Sequence, residues 1–184
     1  MKRTNNPQKE LIILTNDPSI TAWGYAVLDA QDNILVTGCI KTKPLYKKRR
    51  TRKGDDTVRR VSEINQRLLK VIKHYKVSYI LTELPHGSQN ASAAVMIGIV
   101  TGIVQTLSDA LEIGTEWYDQ ADAKKCLLGK NSATKREVID AIDKIYDVRW
   151  TDINYKNEAV ADSLAIHYVA SKQSSILQLF KTVK

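Results

Sequence analysis

The sequence predicts an α/β fold in which helices flank a mixed sheet of five strands, three antiparallel strands followed by parallel ones. Three apolar segments with short connections occupy residues 11–40, which is typical of an antiparallel meander. From Thr57 onward the apolar residues recur at helical spacing, and later apolar segments alternate with helices. The chain has 184 residues, 43% of them hydrophobic, so one domain with its own core is expected and a disordered chain is excluded.

The order of the elements follows from local signals along the chain. The first strand ends at Asp17-Pro18, because proline cannot donate to a strand ladder. Asn90 or Ser92 suits the start of a long helix, and Thr134 suits the start of a later one. Strands are predicted at 11–17, 23–29, 34–40, 77–83 and 114–118, and helices from 57, from about 91 to 111, and at 121–128, 135–146 and 156–171. The domain would span 11–171, between a flexible lead at 1–10 and a weakly ordered tail at 172–184.

Neither a membrane span nor an extracellular setting is expected. The longest apolar stretch, 93–107, is interrupted by glycine, threonine and glutamine and is shorter than a bilayer requires. The apolar run at 11–14 is too short for the core of a signal peptide. The two cysteines, Cys39 and Cys126, lie far apart without a metal-ligand pattern beside them, which favours free thiols in a reducing cytoplasm.

The positive charge of the chain is concentrated in one segment. Residues 41–60, called the basic loop below, contain ten basic and two acidic residues, which accounts for the whole net charge of +8. Nucleic acid is therefore the first partner to consider, and an anionic membrane surface the second. A solvated loop is the alternative, but closely spaced positive charges repel one another and favour a bound polyanion. The DNA contacts expected here are Lys47, Lys48, Arg49, Arg50, Arg52, Lys53, Arg59 and Arg60.

Four carboxylates fall where a metal site could form. Asp17 ends the first strand and Glu83 ends the fourth, after apolar runs in which an unpaired carboxylate is costly. Glu158 and Asp162 are four residues apart and project from one face of the last predicted helix. Singly, each has an ordinary interpretation as a turn or surface residue. Together they predict a site for Mg²⁺ or Mn²⁺, with two ions about 3.5–4 Å apart that activate water against a phosphodiester.

Four segments, taken in order, resemble the RuvC family of Holliday junction resolvases. They are the Asp-containing hairpin 17–27, Glu83 with the helix motifs at 90–94 and 98–102, the lysine-containing stretch 123–135, and the Ala-Asp-Ser-Leu-Ala run at 161–165. The resemblance extends over nearly the whole chain, from Leu11 to about Ala170. The residues around Glu83 and Asp162 are most similar to the phage-encoded branch of the family.

The resemblance implies an RNase H-like fold, a homodimer, and paired metal-dependent nicks in four-way DNA junctions that leave 5′-phosphate ends. It assigns two metal ions to the four carboxylates named above. Lys124 and Lys135 match two lysines of the family that act at the scissile phosphate. Further DNA contacts are expected at His86, Ser88, Asn90 and Lys130.

The chain departs from the bacterial pattern at three places. Ala159 stands where bacterial members carry the third acid, so Glu158 would substitute from one residue earlier on the same helix face. His86 replaces an aromatic residue that stacks on a base, and Thr101 replaces an arginine. The preferred cleavage sequence and the opening of the junction therefore do not follow from the resemblance.

Other functions are compatible with parts of this pattern. A nuclease for structured RNA would share the fold, and an architectural protein that binds junctions without cutting would share the DNA surface. The complete set of acids argues against an inert protein, because buried charge without a function is costly. An actin-like ATPase or sugar kinase begins with a similar strand and Asp-Gly hairpin, but its second domain does not fit in 184 residues.

Overall fold

The computed structural model describes residues 10–46 and 51–182, which form one five-stranded sheet with helices on both faces. The strands are β1 (Ile12–Asp17), β2 (Ala22–Asp29), β3 (Ile34–Lys41), β4 (Tyr79–Glu83) and β5 (Gly114–Tyr118). Their order in the sheet is β3-β2-β1-β4-β5. The pairs β1–β2 and β2–β3 are antiparallel, whereas β1–β4 and β4–β5 are parallel. The predicted mixed sheet is confirmed.

The helices are distributed over the two faces of the sheet. They are α1 (Lys53–Tyr75), α2 (Ala91–Leu111), α3 (Gln120–Leu128), α4 (Lys135–Asp143), α5 (Asn154–Gln173) and α6 (Ser175–Thr182). Successive strand residues point to opposite faces, so Leu14 and Ile80 pack with α1 and α2, whereas Ile13 and Leu81 pack with the other four helices. The two apolar layers give the sheet a core on each side.

Helix α5 lies close against the sheet because small residues face each other there. A Cβ atom added to Gly24 of β2 would lie 1.9 Å from the carbonyl oxygen of Ala159, so only glycine fits at this contact. Gly24 pairs with Asp17 across the β1–β2 ladder. The close approach therefore brings the first half of α5, which carries Asp162, next to the end of β1.

The structure differs from the sequence prediction most clearly at the start of α1 and in the C-terminal tail. Helix α1 begins at Lys53, so the last part of the basic loop is helical. The predicted weakly ordered tail contains α6, because Leu177 is buried in the core and Ser174 Oγ accepts a hydrogen bond from the Leu177 amide. Residues 1–9 of the predicted flexible lead lie outside the described residues.

Helix α2 has the bounds predicted from the sequence, and it is longer than the apolar stretch 93–107 within it. By length and composition alone the whole helix could cross a membrane, which the shorter stretch did not indicate. Its buried residues Val100, Ile103 and Val104 pack in the core beside the sheet. Apart from Ser108, which is also buried, the other residues of α2 are partly buried or exposed, and Val95 is an exposed large apolar residue.

Candidate active site

Three carboxylates from three different elements converge at one edge of the sheet. Asp17 and Glu83 end the neighbouring parallel strands β1 and β4, whose register places their last residues side by side. Asp162 joins them from α5, where it is buried. Burial, followed by the negative charges of Glu83 and Asp162, raises the pKa of Asp17 well above its usual range, although Lys135 opposes the shift. The pKa shift shows that the three groups share one poorly solvated space.

Glu83 has the features of a carboxylate that needs a cation. Burial and then the negative charge of Asp162 raise the pKa of Glu83 to about 7, against the opposing effects of Lys135, Lys124 and a hydrogen bond from Gln120. Its Oε2 atom is buried and accepts no hydrogen bond from any described residue. A buried anionic oxygen without a partner is costly. The oxygen donors and their charge therefore fit a hard divalent cation.

Two lysines lie beside the carboxylates. Lys135, the first residue of α4, donates a hydrogen bond from Nζ to Asp162 Oδ2. Burial works against the charged form of Lys135, but the charge and hydrogen bond of Asp162 outweigh it, so the pKa of Lys135 is raised. Lys124 Nζ donates to Gln120 Oε1 at 3.3 Å, one turn earlier on α3. Both lysines therefore bring positive charge to the site.

Glu158 is half-buried and lies one helical turn before Asp162 on α5. Its membership of the carboxylate group stays a prediction. In the described part of the chain, no three acidic, histidine or cysteine side chains are already arranged as a completed metal shell. The Lys135 ammonium, bonded to Asp162, supplies the positive charge in the arrangement seen here.

The segment between β4 and α2 is held by its own polar contacts. His86 Nε2 lies 3.2 Å from Asp119 Oδ2, and both side chains are partly exposed. Asn90 caps α2 by accepting a hydrogen bond from the Ala93 amide. Ser88 Oγ accepts a hydrogen bond from the Asn90 amide at 3.1 Å. These residues border Glu83, and their predicted contacts with DNA stay predictions.

The structure separates the members of the basic loop. Lys47, Lys48, Arg49 and Arg50 lie outside the described residues. Exposed Arg52 pairs with Asp55, Lys53 begins α1 with its side chain exposed, and Arg59 pairs with Asp56 and Glu63. Lys130, outside the loop, pairs with Glu137.

Arg60 has a structural role, which corrects the sequence prediction. Its side chain is buried, and the guanidinium donates hydrogen bonds to Thr42 Oγ1, Thr21 Oγ1 and the Ile20 carbonyl. These bonds connect α1 to the strand ends of β2 and β3. Since its Nε and Nη2 groups donate inside the protein, we expect Arg60 to hold α1 against the strand ends rather than to contact DNA.

Sequence reasoning missed Gln120 and Asp119, which surround the site from the start of α3. Asp119 caps α3 through a hydrogen bond from the Ala121 amide and also pairs with His86. Gln120 contacts both Glu83 and Lys124. The four-residue spacing of Gln120 and Lys124 was a usable signal for their contact, but the approach to Glu83 depends on the β4–β5 pairing.

The comparison with protein families identifies this arrangement. The profile described as "Crossover junction endodeoxyribonuclease RuvC" matches residues 13–169. The chain belongs to the RuvC family. The RuvC proteins of Bacteroides fragilis and Pseudothermotoga lettingae are 25% and 27% identical to it over 165 and 173 residues. Those alignments cover 88% and 92% of this chain, and 82% and 99% of the relatives.

Solved structures of RuvC proteins and other resolvases have the same fold. Thermus thermophilus RuvC in complex with a Holliday junction aligns with a TM-score of 0.67 and 20% identity, over 88% of this chain and 96% of that one. The yeast mitochondrial Holliday junction resolvase aligns with a TM-score of 0.62 and 10% identity, over 92% and 81% of the two chains. The RNase H-like fold is confirmed, and RuvC membership confirms the prediction that the chain is a junction-resolving endodeoxyribonuclease.

Proposed function

We propose that this RuvC protein resolves four-way DNA junctions by paired, metal-dependent nicks that leave 5′-phosphate ends. The observation that carries the assignment of residues is the convergence of Asp17, Glu83 and Asp162, with a buried Glu83 oxygen that lacks a hydrogen bond from the described residues. Glu158 is the proposed fourth carboxylate, because helical spacing keeps it on the side of α5 that carries Asp162.

The proposed cofactor is Mg²⁺, two ions per site, with Mn²⁺ as a substitute. Carboxylate oxygens are the ligands that both ions accept. Bound ions would activate the attacking water and stabilise charge on the leaving oxygen. The carboxylates would hold the ions at the ends of rigid elements, which requires little rearrangement when the substrate arrives.

Lys135 and Lys124 are the proposed contacts of the scissile phosphate. In the absence of DNA, Lys135 neutralises part of the carboxylate charge by its bond to Asp162. A phosphate that approaches three carboxylates needs positive charge on its own side, and both ammonium groups are near enough to affect Glu83. We therefore propose that they bind the phosphate and stabilise the negative charge that develops during attack.

The proposed homodimer uses the exposed apolar face of α2. Val95 of α2 and Val58 of α1 are 58% and 68% exposed and line a groove of about 520 Å³. A Cβ atom at Gly98 or Gly102 would meet no atom of the described residues within 4 Å, so these glycines do not serve close packing within the part of the domain that the structure describes. A second copy would cover this face, and a two-fold dimer would match the two strands cut in a junction.

The dimer is tested by its mass in solution. Val95→Asp places a charge in the apolar face and should convert the dimer to a folded monomer in sedimentation experiments. Ala110→Asp introduces the same charge at an exposed position near the other end of α2 and should leave the dimer intact. A monomeric wild-type protein, or equal behaviour of both variants, would contradict this interface.

The activity is tested with a labelled synthetic four-way DNA junction in Mg²⁺, Mn²⁺ or EDTA. A linear duplex of the same sequence and an RNA hairpin serve as alternative substrates. Symmetric nicks in the junction alone, absent in EDTA, are expected. Asp17→Asn should abolish cleavage and retain junction binding, because it removes a metal ligand and no DNA contact. Cleavage of the RNA hairpin instead would favour the structured-RNA nuclease.

We also propose that the enzyme acts in the cytoplasm.

A further inference from the structure

A second group of basic residues borders the carboxylates on the side of β3. Lys41 is the last residue of β3 and pairs with Ala22 of β2. Gly24 lies two residues after Ala22 in β2 and pairs with Asp17 of β1, the strand on the opposite side of β2 from β3. Lys41 therefore lies at the same edge of the sheet as Asp17, two strands away in the direction opposite to β4.

The start of α5 reaches the same edge. Ala159 packs on Gly24, so Tyr155 and Lys156, one turn earlier in α5, lie beside the end of the sheet. Arg149, in the segment before α5, lines a small recess together with Lys156 and the β3 backbone. Lys41, Arg149, Tyr155 and Lys156 are called the β3-side patch below.

The members of the β3-side patch are arranged around an aromatic ring. Lys41 Nζ lies 4.2 Å from the centroid of the Tyr155 ring, a cation–π contact. Tyr155 and Arg149 are exposed, and Lys41 and Lys156 are half-buried. Among the described residues, none of the three cations forms an ion pair with a carboxylate. Their positive charge is thus available to an external anion.

The patch is electrostatically connected to the catalytic carboxylates. Burial raises the pKa of the Cys39 thiol on β3, whereas Lys41 and Lys156 act in the lowering direction. Asp17 acts on the same thiol in the raising direction. Gly24 pairs with Cys39 on one side and with Asp17 on the other, so Lys41, Lys156 and Asp17 all lie within electrostatic range of the Cys39 thiol.

We propose that the β3-side patch binds the backbone of the branched DNA substrate beside the scissile phosphate, on the side opposite to Lys124 and Lys135. The proposal rests on the junction-resolving function proposed above. Lysine and arginine bind phosphates without regard to sequence, and an exposed tyrosine provides a face on which a base or sugar packs. The carboxylates repel the DNA backbone, so cations on both sides hold the strand across them.

The salt dependence of junction binding measures these contacts directly. Log affinity falls as log salt concentration rises, and each phosphate contact adds about 0.9 to the magnitude of this slope. Lys41→Gln/Lys156→Gln should therefore lower the magnitude of the slope by about 1.8, measured by fluorescence anisotropy in EDTA so that no strand is cut. Over a fourfold increase in salt, the wild type should lose about twelve-fold more affinity than this variant.

The matched control is Lys70→Gln/Lys73→Gln, which removes two exposed lysines from the last part of α1. This control should retain the wild-type slope. Lys41→Arg/Lys156→Arg should restore the slope, because arginine keeps the charge and the contact with the Tyr155 ring.

The possible results distinguish a failure of the patch proposal from a failure of the proposed function. If the wild type binds and cuts junctions while Lys41→Gln/Lys156→Gln retains the slope of the α1 control, the patch proposal is wrong and the function stands. A lowered slope that the arginine variant does not restore also overturns the proposal, because it indicates a structural effect. If the wild type neither binds nor cuts junctions, both are overturned.

Discussion

Replacing Glu83 with glutamine tests whether the ionised Glu83 carboxylate destabilises the folded protein and whether a bound metal ion removes that destabilisation. The pKa of Glu83 is about 7 in the folded protein against an ordinary value of 4.5. Below pH 4.5 both the folded and the unfolded chain hold the proton. Between these two pH values the unfolded chain releases the proton and the folded protein keeps it, so the free energy of unfolding falls as the pH rises.

The size of the effect follows from the pKa difference. A shift from 4.5 to about 7 corresponds to about 3 kcal/mol of lost stability above pH 7, at about 1.4 kcal/mol per pKa unit. Glutamine does not ionise, so Glu83→Gln removes this loss. The free energy of unfolding of the variant minus that of wild type should be about 3 kcal/mol larger at pH 8 than at pH 4.5. The packing effect of the substitution is the same at both pH values and therefore cancels in this comparison.

The assay is urea unfolding in EDTA at both pH values, repeated at pH 8 with Mg²⁺. Mg²⁺ should stabilise the wild type by binding the ionised carboxylates and should stabilise Glu83→Gln much less. Cleavage should be lost in the variant at every pH. Equal stability differences at the two pH values would refute the electrostatic argument, and equal stabilisation by Mg²⁺ would refute Glu83 as a metal ligand.

Three further predictions follow from particular contacts. Gly24→Ala should destabilise the fold by about 1–3 kcal/mol or more and reduce cleavage, because the added methyl overlaps the Ala159 carbonyl. Thermal unfolding should show no such loss for Gly54→Ala, whose Cβ would meet no described residue within 4 Å. Arg60→Ala should lower the free energy of unfolding by about 2 kcal/mol or more, because the hydrogen bonds of Arg60 join α1 to the sheet. The same variant should leave the salt slope of DNA binding unchanged. A lowered slope without lost stability would identify Arg60 as a DNA contact. Lys135→Gln should lower single-turnover cleavage more than junction affinity, and an equal loss in both would contradict a role at the scissile phosphate.

Helix α2 carries an apolar side chain that the domain leaves exposed. Val95 of α2 is exposed and lines an apolar groove together with Val58 of α1. The proposed dimer gives this surface a partner. Dimer formation and the β3-side patch are therefore independent features, because the first concerns α2 and the second concerns β3 and the start of α5.

Local sequence patterns predicted the arrangement of the sheet and the position of two catalytic candidates. Short connections between the first three apolar segments leave antiparallel pairing as the simple arrangement, and a helix between later strands allows parallel pairing. A carboxylate directly after a buried strand must lie at a strand end. Asp17 and Glu83 were therefore placed correctly by local pattern alone.

The contacts between polar groups from distant elements depend on tertiary packing and did not follow from the sequence patterns. Arg60 looked like one more charge of a basic segment, but its helix packs on the strand ends and buries it. Helical spacing placed Glu158 and Asp162 on one face of α5, and the packing of α4 and β1 against that helix brings Lys135 and Asp17 to Asp162. Local periodicity specifies the face of an element, whereas the partner of a side chain depends on how distant elements pack.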